Sequence, residues 1–105
     1  MAQEILLIFD LEANGLYQDA TRIHCIAYHD STIDETLSFN DECPGKGMSN
    51  SITTAVMDLE QAEYIVGHNI IGYDLPLIRK LYPVFKPTGV IIDTLLTVSY
   101  THLPL

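Results

Sequence analysis

Basic residues are scarce in this 105-residue chain: five Lys and Arg stand against fourteen Asp and Glu, a formal net charge of −9. A protein that holds nucleic acid mainly by phosphate neutralisation is richer in Lys and Arg. The deficit leaves two readings: an acidic soluble protein, or an acidic metal site whose grip on a polyanion resides mostly elsewhere. Cysteine is equally sparse. Cys25 reads as a strand residue of the core and Cys43 as a loop thiol, with no metal-like spacing between them. That usage argues against a disulfide scaffold and fits a reducing, cytoplasmic setting. No apolar run approaches the roughly 20 residues of a membrane span. The opening Met-Ala-Gln-Glu lacks the basic start and cleavage site of a signal peptide. Repeats, linkers and low-complexity stretches are absent too, so the length allows at most one small domain. A hydrophobic content of 48% marks it as a folded one.

What is present has a clear order. Residues 5–9 form a near-continuous apolar run, expected of a strand buried on both faces. Asn14-Gly15 signals a turn. Residues 22–29 read as a second strand, with Ile23, Cys25 and Ala27 on one face and His24, Ile26 and Tyr28 on the other. Residues 35–39 make a third, so the three form an antiparallel meander. After a loop over 40–50, residues 51–63 carry Ile52, Ala55, Val56, Leu59 and Ala62 at helical spacing, with Ser49 or Ser51 as cap. A short strand at 64–67, a helix at 75–81 stopped by Pro83, a strand at 90–92 and a helix beginning near 94 follow. Three antiparallel strands followed by an αβαβ succession give an α/β fold, a mixed sheet with helices packed against it.

The residues with chemistry sit at strand ends. In Ile5-Leu6-Leu7-Ile8-Phe9-Asp10-Leu11-Glu12, the two acids are two apart, so an extended strand turns both carboxylates to the same side. Like charges beside an apolar strand resist desolvation and repel each other, a conflict that a hard divalent cation such as Mg²⁺ or Mn²⁺ resolves. A surface pair following a strand is the alternative. Asp58-Leu59-Glu60 is the same tripeptide on a helix, where i and i+2 diverge, and reads as a solvated helix face. Ligand sites of open α/β sheets form beyond the carboxyl ends of adjacent strands. That rule brings the 69–74 segment next to Asp10 and Glu12 and makes Asp74 a third carboxylate at the same spot. Asp74 equally suits a helix N-cap, Asn69 a turn residue, and His68 a hydrogen-bonded strand-end histidine. Asp93 reads as a cap or a backbone acceptor.

Taken together, Asp10-Leu11-Glu12-Ala13-Asn14-Gly15-Leu16, His24-Cys25, His68-Asn69 through Tyr73-Asp74, and Ile92-Asp93-Thr94-Leu95 resemble the D-E-D-D (DnaQ-like) 3′–5′ exonucleases. The likeness is nearest to the amino-terminal proofreading domain of phage-type family A DNA polymerases. The resemblance implies a ribonuclease-H-like fold and hydrolysis of phosphodiester bonds with two divalent ions, Mg²⁺ or Mn²⁺. Asp10, Glu12 and Asp74 would be the metal-binding catalytic acids. Ala13, Asn14 and Gly15 would approach the terminal nucleotide by their backbone. Leu16 would wedge near the terminal base, or else be an ordinary core or turn leucine, and Asn69 would hold the nucleotide or order its loop.

The implied partners are a single-stranded DNA 3′ end and the remainder of a polymerase chain, with no membrane involved. An RNA or oligonucleotide exonuclease of the same fold and a non-catalytic scaffold domain are the competing readings. The family's third motif, an Asp preceded by a Tyr or His, lies downstream of the Ile-Asp-Thr-Leu segment. Neither Tyr100 nor His102 has an Asp following it. Residues 1–105 are therefore expected to be a C-terminally truncated part of the domain, host-cytoplasmic if phage-encoded, with little or no turnover by themselves.

Overall fold

The computed structural model describes residues 5–41 and 51–95. Strand β1 (Leu6–Ala13) pairs antiparallel with β2 (Ile23–Asp30), which pairs antiparallel with β3 (Glu35–Phe39). Helix α1 (Ile52–Gln61) then returns the chain to β4 (Tyr64–Gly67), parallel to β1. A wide π-helical turn (Ile70–Asp74) runs straight into α2 (Leu75–Leu81), and β5 (Val90–Asp93) closes the sheet beside β4. The strand order is β3-β2-β1-β4-β5, with β1 central as its apolar sequence predicts. Residues 94 and 95 start a helical turn. The rest of the helix expected there lies outside the described residues, as do Cys43, most of the 40–50 loop, Tyr100 and His102. Among the described residues, no helix is long and apolar enough to cross a membrane.

The helices lie where periodicity puts them. Ser51 has extended backbone (φ −78°, ψ 156°), and its hydroxyl accepts from the Thr54 amide at 3.3 Å, an N-cap. Ile52, Ala55, Val56 and Leu59 form the buried stripe of α1. It packs with Leu75, Leu77 and Ile78 of α2 over Leu7, Phe9, Leu11, Ile26 and Ile65 of the sheet. Tyr28 and Phe39 stack across β2 and β3 with centroids 5.2 Å apart.

Three expectations need correction. β1 is not buried on both faces: Leu7, Phe9 and Leu11 are interior, whereas Ile8 is 49% exposed. The helices cover one side, so the alternation of β1 is that of a half-covered strand. Second, Ile23 does not share a face with Cys25. Glu12 pairs with Cys25 and Ala13 with Ile23, so His24 is an extra residue in β2. This bulge turns Ile23 into the core. Third, Asp58 and Glu60 are not simply solvated. Asp58 accepts from the Tyr28 hydroxyl at 2.5 Å and Glu60 from the Lys86 amide at 3.1 Å. Their partners lie on different elements, in keeping with the divergence of i and i+2 on a helix. Burial together with Asp58 raises the Tyr28 phenol above its usual range, so it stays a donor.

Two glycines let the β4 and β5 layers approach. A Cβ on Gly67 would strike the Ile70 side chain and lie 2.9 Å from the Phe9 carbonyl oxygen, which lets the turn after β4 fold against β1. A Cβ on Gly89 would strike the Ala62 carbonyl and lie 2.7 Å from that of Glu63. The Val90 amide donates to Glu63 O at 2.8 Å and starts the β4–β5 ladder. Gly89→Ala is therefore expected to destabilise the protein by about 1–3 kcal/mol, the usual range for overpacking against rigid backbone. A urea denaturation midpoint equal to that of wild type would contradict this packing.

Candidate active site

β1 outruns its parallel neighbour. The β1–β4 ladder covers only Leu6 to Ile8, whereas the β1–β2 ladder continues to Ala13. Asp10 and Glu12 thus project from a strand flanked on one side by β2 and on the other by the turn following β4. Both are exposed, on the same face of β1 as Ile8. The period-two argument for the pair therefore holds in the folded chain.

That turn is built by Asp93, a buried residue at the end of β5. Its Oδ1 accepts from the amides of Asn69 (2.8 Å) and Leu95 (2.9 Å), and its Oδ2 from that of Ile71 (2.9 Å). Asp93 thus fills both roles expected of it, backbone acceptor for the turn and, through the Leu95 amide, cap of the helical turn that starts at residue 94. Asn69 adopts the left-handed conformation (φ 58°, ψ 30°), which Asn tolerates better than most residues. Its side chain lies over Gly72, where a Cβ would be 2.6 Å from its Oδ1. The Asn69 carbonyl accepts from the Tyr73 amide at 3.0 Å. Asn69 thus shapes the turn. His68 Nδ1 lies 3.1 Å from Thr94 Oγ1, a strand-end hydrogen bond as expected.

Asp74 closes the π-helical turn and caps nothing. Its backbone is already helical (φ −61°, ψ −50°), and its side chain makes no capping bond. The capping role suggested by its position is therefore overturned: the preceding turn already supplies helical backbone, and α2 continues from it without a break. The Asp74 side chain instead points inward, 5% exposed, and Oδ2 has no hydrogen-bond partner. Burial first, and the negative charge of Asp10 second, push its pKa up to about 6. The backbone amides of Leu11 and of Asp74 itself oppose the shift, and Asp93 adds to it. Asp74 is consequently beside the Asp10–Leu11 segment of β1.

The site brings Asp10 and Asp74 together and keeps Glu12 on the same face of the same strand. Among the described residues, no three His, Cys, Asp or Glu side chains are gathered closely enough to enclose an ion by themselves. The chemistry of the Asp10–Asp74 pair nevertheless suits a hard cation. A buried oxygen without a donor, next to a second carboxylate, lacks positive charge.

The loop after β1 is organised from within. Asn14 turns its amide into the loop: Oδ1 accepts from the amides of Thr21 (3.0 Å) and Arg22 (3.1 Å), and Nδ2 donates to Thr21 Oγ1 (2.9 Å). Leu16, on its exposed rim, is 70% accessible, so the reading of Leu16 as a core leucine fails. Two side chains from across the site hold this loop, and sequence reasoning assigned a role to neither. The Tyr73 hydroxyl donates to the Gly15 carbonyl at 2.7 Å. Lys80 Nζ donates to those of Tyr17 (2.5 Å) and Gln18 (3.3 Å). The Tyr-Asp pair could have flagged Tyr73, but nothing in the sequence flags Lys80.

Comparison with known proteins follows the same lines. A family model described as RNase_H superfamily (RNase_H_2) matches residues 7–102. Among solved structures, the chain is similar to the family B DNA polymerase from the hyperthermophilic archaeon Pyrobaculum calidifontis. The TM-score is 0.64 at 17% identity, over 93% of this chain and 16% of that one. At that identity the likeness concerns the fold, and the chain spans about a sixth of the polymerase's length. No curated protein matches the sequence significantly. The mixed sheet with β1 at its centre and the match over residues 7–102 lead to one conclusion: the chain belongs to the RNase_H superfamily.

Proposed function

We propose that this chain is part of a metal-dependent 3′–5′ exonuclease domain acting on DNA 3′ ends, a proofreading unit of a phage-type DNA polymerase. RNase H-like proteins are generally nucleases and typically use divalent metals. The observation that carries the finer reading is Asp74: a buried carboxylate with a free oxygen, beside Asp10, in a helical turn it does not cap. A scaffold has no use for that arrangement, which costs stability whenever both acids are ionised.

Asp10 and Asp74 would hold divalent cations, with Glu12 adding a ligand from the same strand face. Bound there, the cations would supply Lewis acidity and neutralise the phosphate charge that bare carboxylates repel. The protein's own residues position the strand. Leu16 offers apolar surface at the open rim of the loop, Ala13 to Gly15 border the end of β1, and Asn69 fixes the turn that carries Asp74. The overall reaction adds water across the P–O3′ bond. The terminal nucleotide leaves with its 5′-phosphate, and a new 3′-hydroxyl remains on the strand.

Calorimetric titration of the chain with Mn²⁺ is expected to show saturable binding that Asp10→Asn or Asp74→Asn weakens at least tenfold, of the order that loss of even an outer-shell partner produces. In the full-length protein, Asp10→Ala should slow release of mononucleotides from the 3′ end of single-stranded DNA by more than about 100-fold. An unchanged rate would remove the exonuclease reading.

The raised Asp74 pKa gives a second expectation. A carboxyl whose folded value lies above its unfolded one stabilises the fold while protonated, and that contribution is lost as pH rises through the folded value. Without divalent ions, the urea midpoint should therefore fall between about pH 4 and pH 7, the window set by the usual carboxyl value and the value of about 6. Asp74→Asn should flatten that fall, and Mn²⁺ should restore stability at neutral pH only in the wild type. An identical pH profile for Asp74→Asn would show that this carboxyl is not the strained one.

A further inference from the structure

The chain's few cations are not spread evenly. Of its five Lys and Arg, Arg22 closes the base of the loop after β1, and Arg79 and Lys80 lie in the last turn of α2. Lys80 reaches from α2 to that loop. Its ammonium donates to the Tyr17 and Gln18 carbonyls and lies 5.2 Å from the centroid of the Tyr17 ring. That is within cation–π range, about 6 Å. One side chain thus fixes both the backbone and the ring of Tyr17, while the residue stays 44% exposed. An aromatic ring held rigid, half open to solvent and backed by a cation, on the rim of a site for a polyanion, has the make-up of a base-stacking platform. A tyrosine serving only to pack would be expected to bury its ring.

The loop is continuous with the acid pair. It leaves the end of β1, the strand of Asp10. It is tied through Gly15 to Tyr73, the residue before Asp74, and through Tyr17 to α2, the helix that Asp74 leads into. A strand whose end lies at Asp10 and Asp74 would pass this rim. We propose that Tyr17, positioned by Lys80, stacks on a nucleobase of the single-stranded substrate. The proposal rests on the exonuclease reading and adds a substrate-binding residue to it. Every base has a π-face to stack, so the platform tolerates any sequence and suits an acidic protein with few phosphate contacts to spare.

The test uses the full-length protein and fluorescein-labelled single-stranded DNA, with Ca²⁺ for binding and Mg²⁺ for turnover. Tyr17→Ala is expected to weaken binding and raise KM by about tenfold or more, with a smaller change in kcat, while Tyr17→Phe stays near wild type. Lys80→Met keeps the apolar stem and removes the cation, and should give an intermediate loss. A series of strands carrying one abasic site near the 3′ end separates stacking from loop folding. At one position the wild type should lose affinity while Tyr17→Ala loses none. If Tyr17→Ala binds and cuts like wild type, or remains as sensitive to every abasic position, the platform is refuted. Asp10→Ala keeps the two ideas apart. Its inactivity, with Tyr17→Ala unaffected, refutes the platform alone, whereas full activity of Asp10→Ala refutes the exonuclease reading beneath it.

Discussion

A carboxylate buried beside another carboxylate, with one oxygen left without a donor, is an unfavourable arrangement, and much of the local structure around it serves to hold it. In water, Asp74 would be solvated and Asp10 would repel it only weakly. In the folded chain, burial removes that solvent, and Asp10 raises the cost of ionisation. Nothing in α2 requires the group to be there, since the helix begins from backbone already in helical conformation. A buried acid with one oxygen lacking a donor and a second carboxylate beside it carries a stability cost when ionised, which positive charge supplied from outside the chain would relieve. This constraint gives the RNase_H superfamily assignment a chemical meaning for this particular sequence.

The support for that carboxylate comes from the neighbouring edge strand of the sheet, β5. Asp93, at the end of β5, gathers three backbone amides around one side chain and so forces the left-handed step at Asn69. The π-helical turn follows, and turns of this kind occur frequently at functional sites because they re-aim a side chain without ending the helix. Gly67 lets the same segment lie against the Phe9 carbonyl. Two neighbouring acids thus have opposite roles. Asp93 gathers donors and builds the scaffold, whereas Asp74 keeps one buried oxygen without any.

Much of the scaffold was legible in the sequence, because each element announces itself by period. The stripe Ile52, Ala55, Val56, Leu59 specified α1, and Pro83 bounded α2. The pairing of Asp10 with Glu12 on one face followed from the repeat of a strand. What period cannot report is which side of a sheet is covered, so the exposure of Ile8 is not to be read from its apolar neighbours. Nor can it report an extra residue in one strand, which moved Ile23 to the other face of β2. Asp74 shows the same limit at the site. Its sequence position fits a cap, and only the conformation of the four residues before it removes that role. Lys80 lay beyond reach altogether: a lysine near a helix end is ordinary, and its reach to the Tyr17 and Gln18 carbonyls exists only once two distant segments are folded together.

The acidic balance of the chain, at first sight an argument against nucleic acid, is better understood from where charge sits than from its sum. A net charge of −9 sets up an unfavourable field for any polyanion at long range, but that field is screened beyond about 10 Å at moderate salt. At contact, local groups decide. Here they are two carboxylates that cations can neutralise, and, across the loop, an ammonium lodged against an aromatic ring and two carbonyls. On the reading proposed above, such a site would hold a strand by metal bridging and by stacking rather than by a carpet of lysines. If the proposed cleavage takes place there, few long-range attractions would hold the strand back afterwards. Low basic content is therefore compatible with an enzyme that must let go after each step, provided that cations and apolar surface supply the short-lived grip.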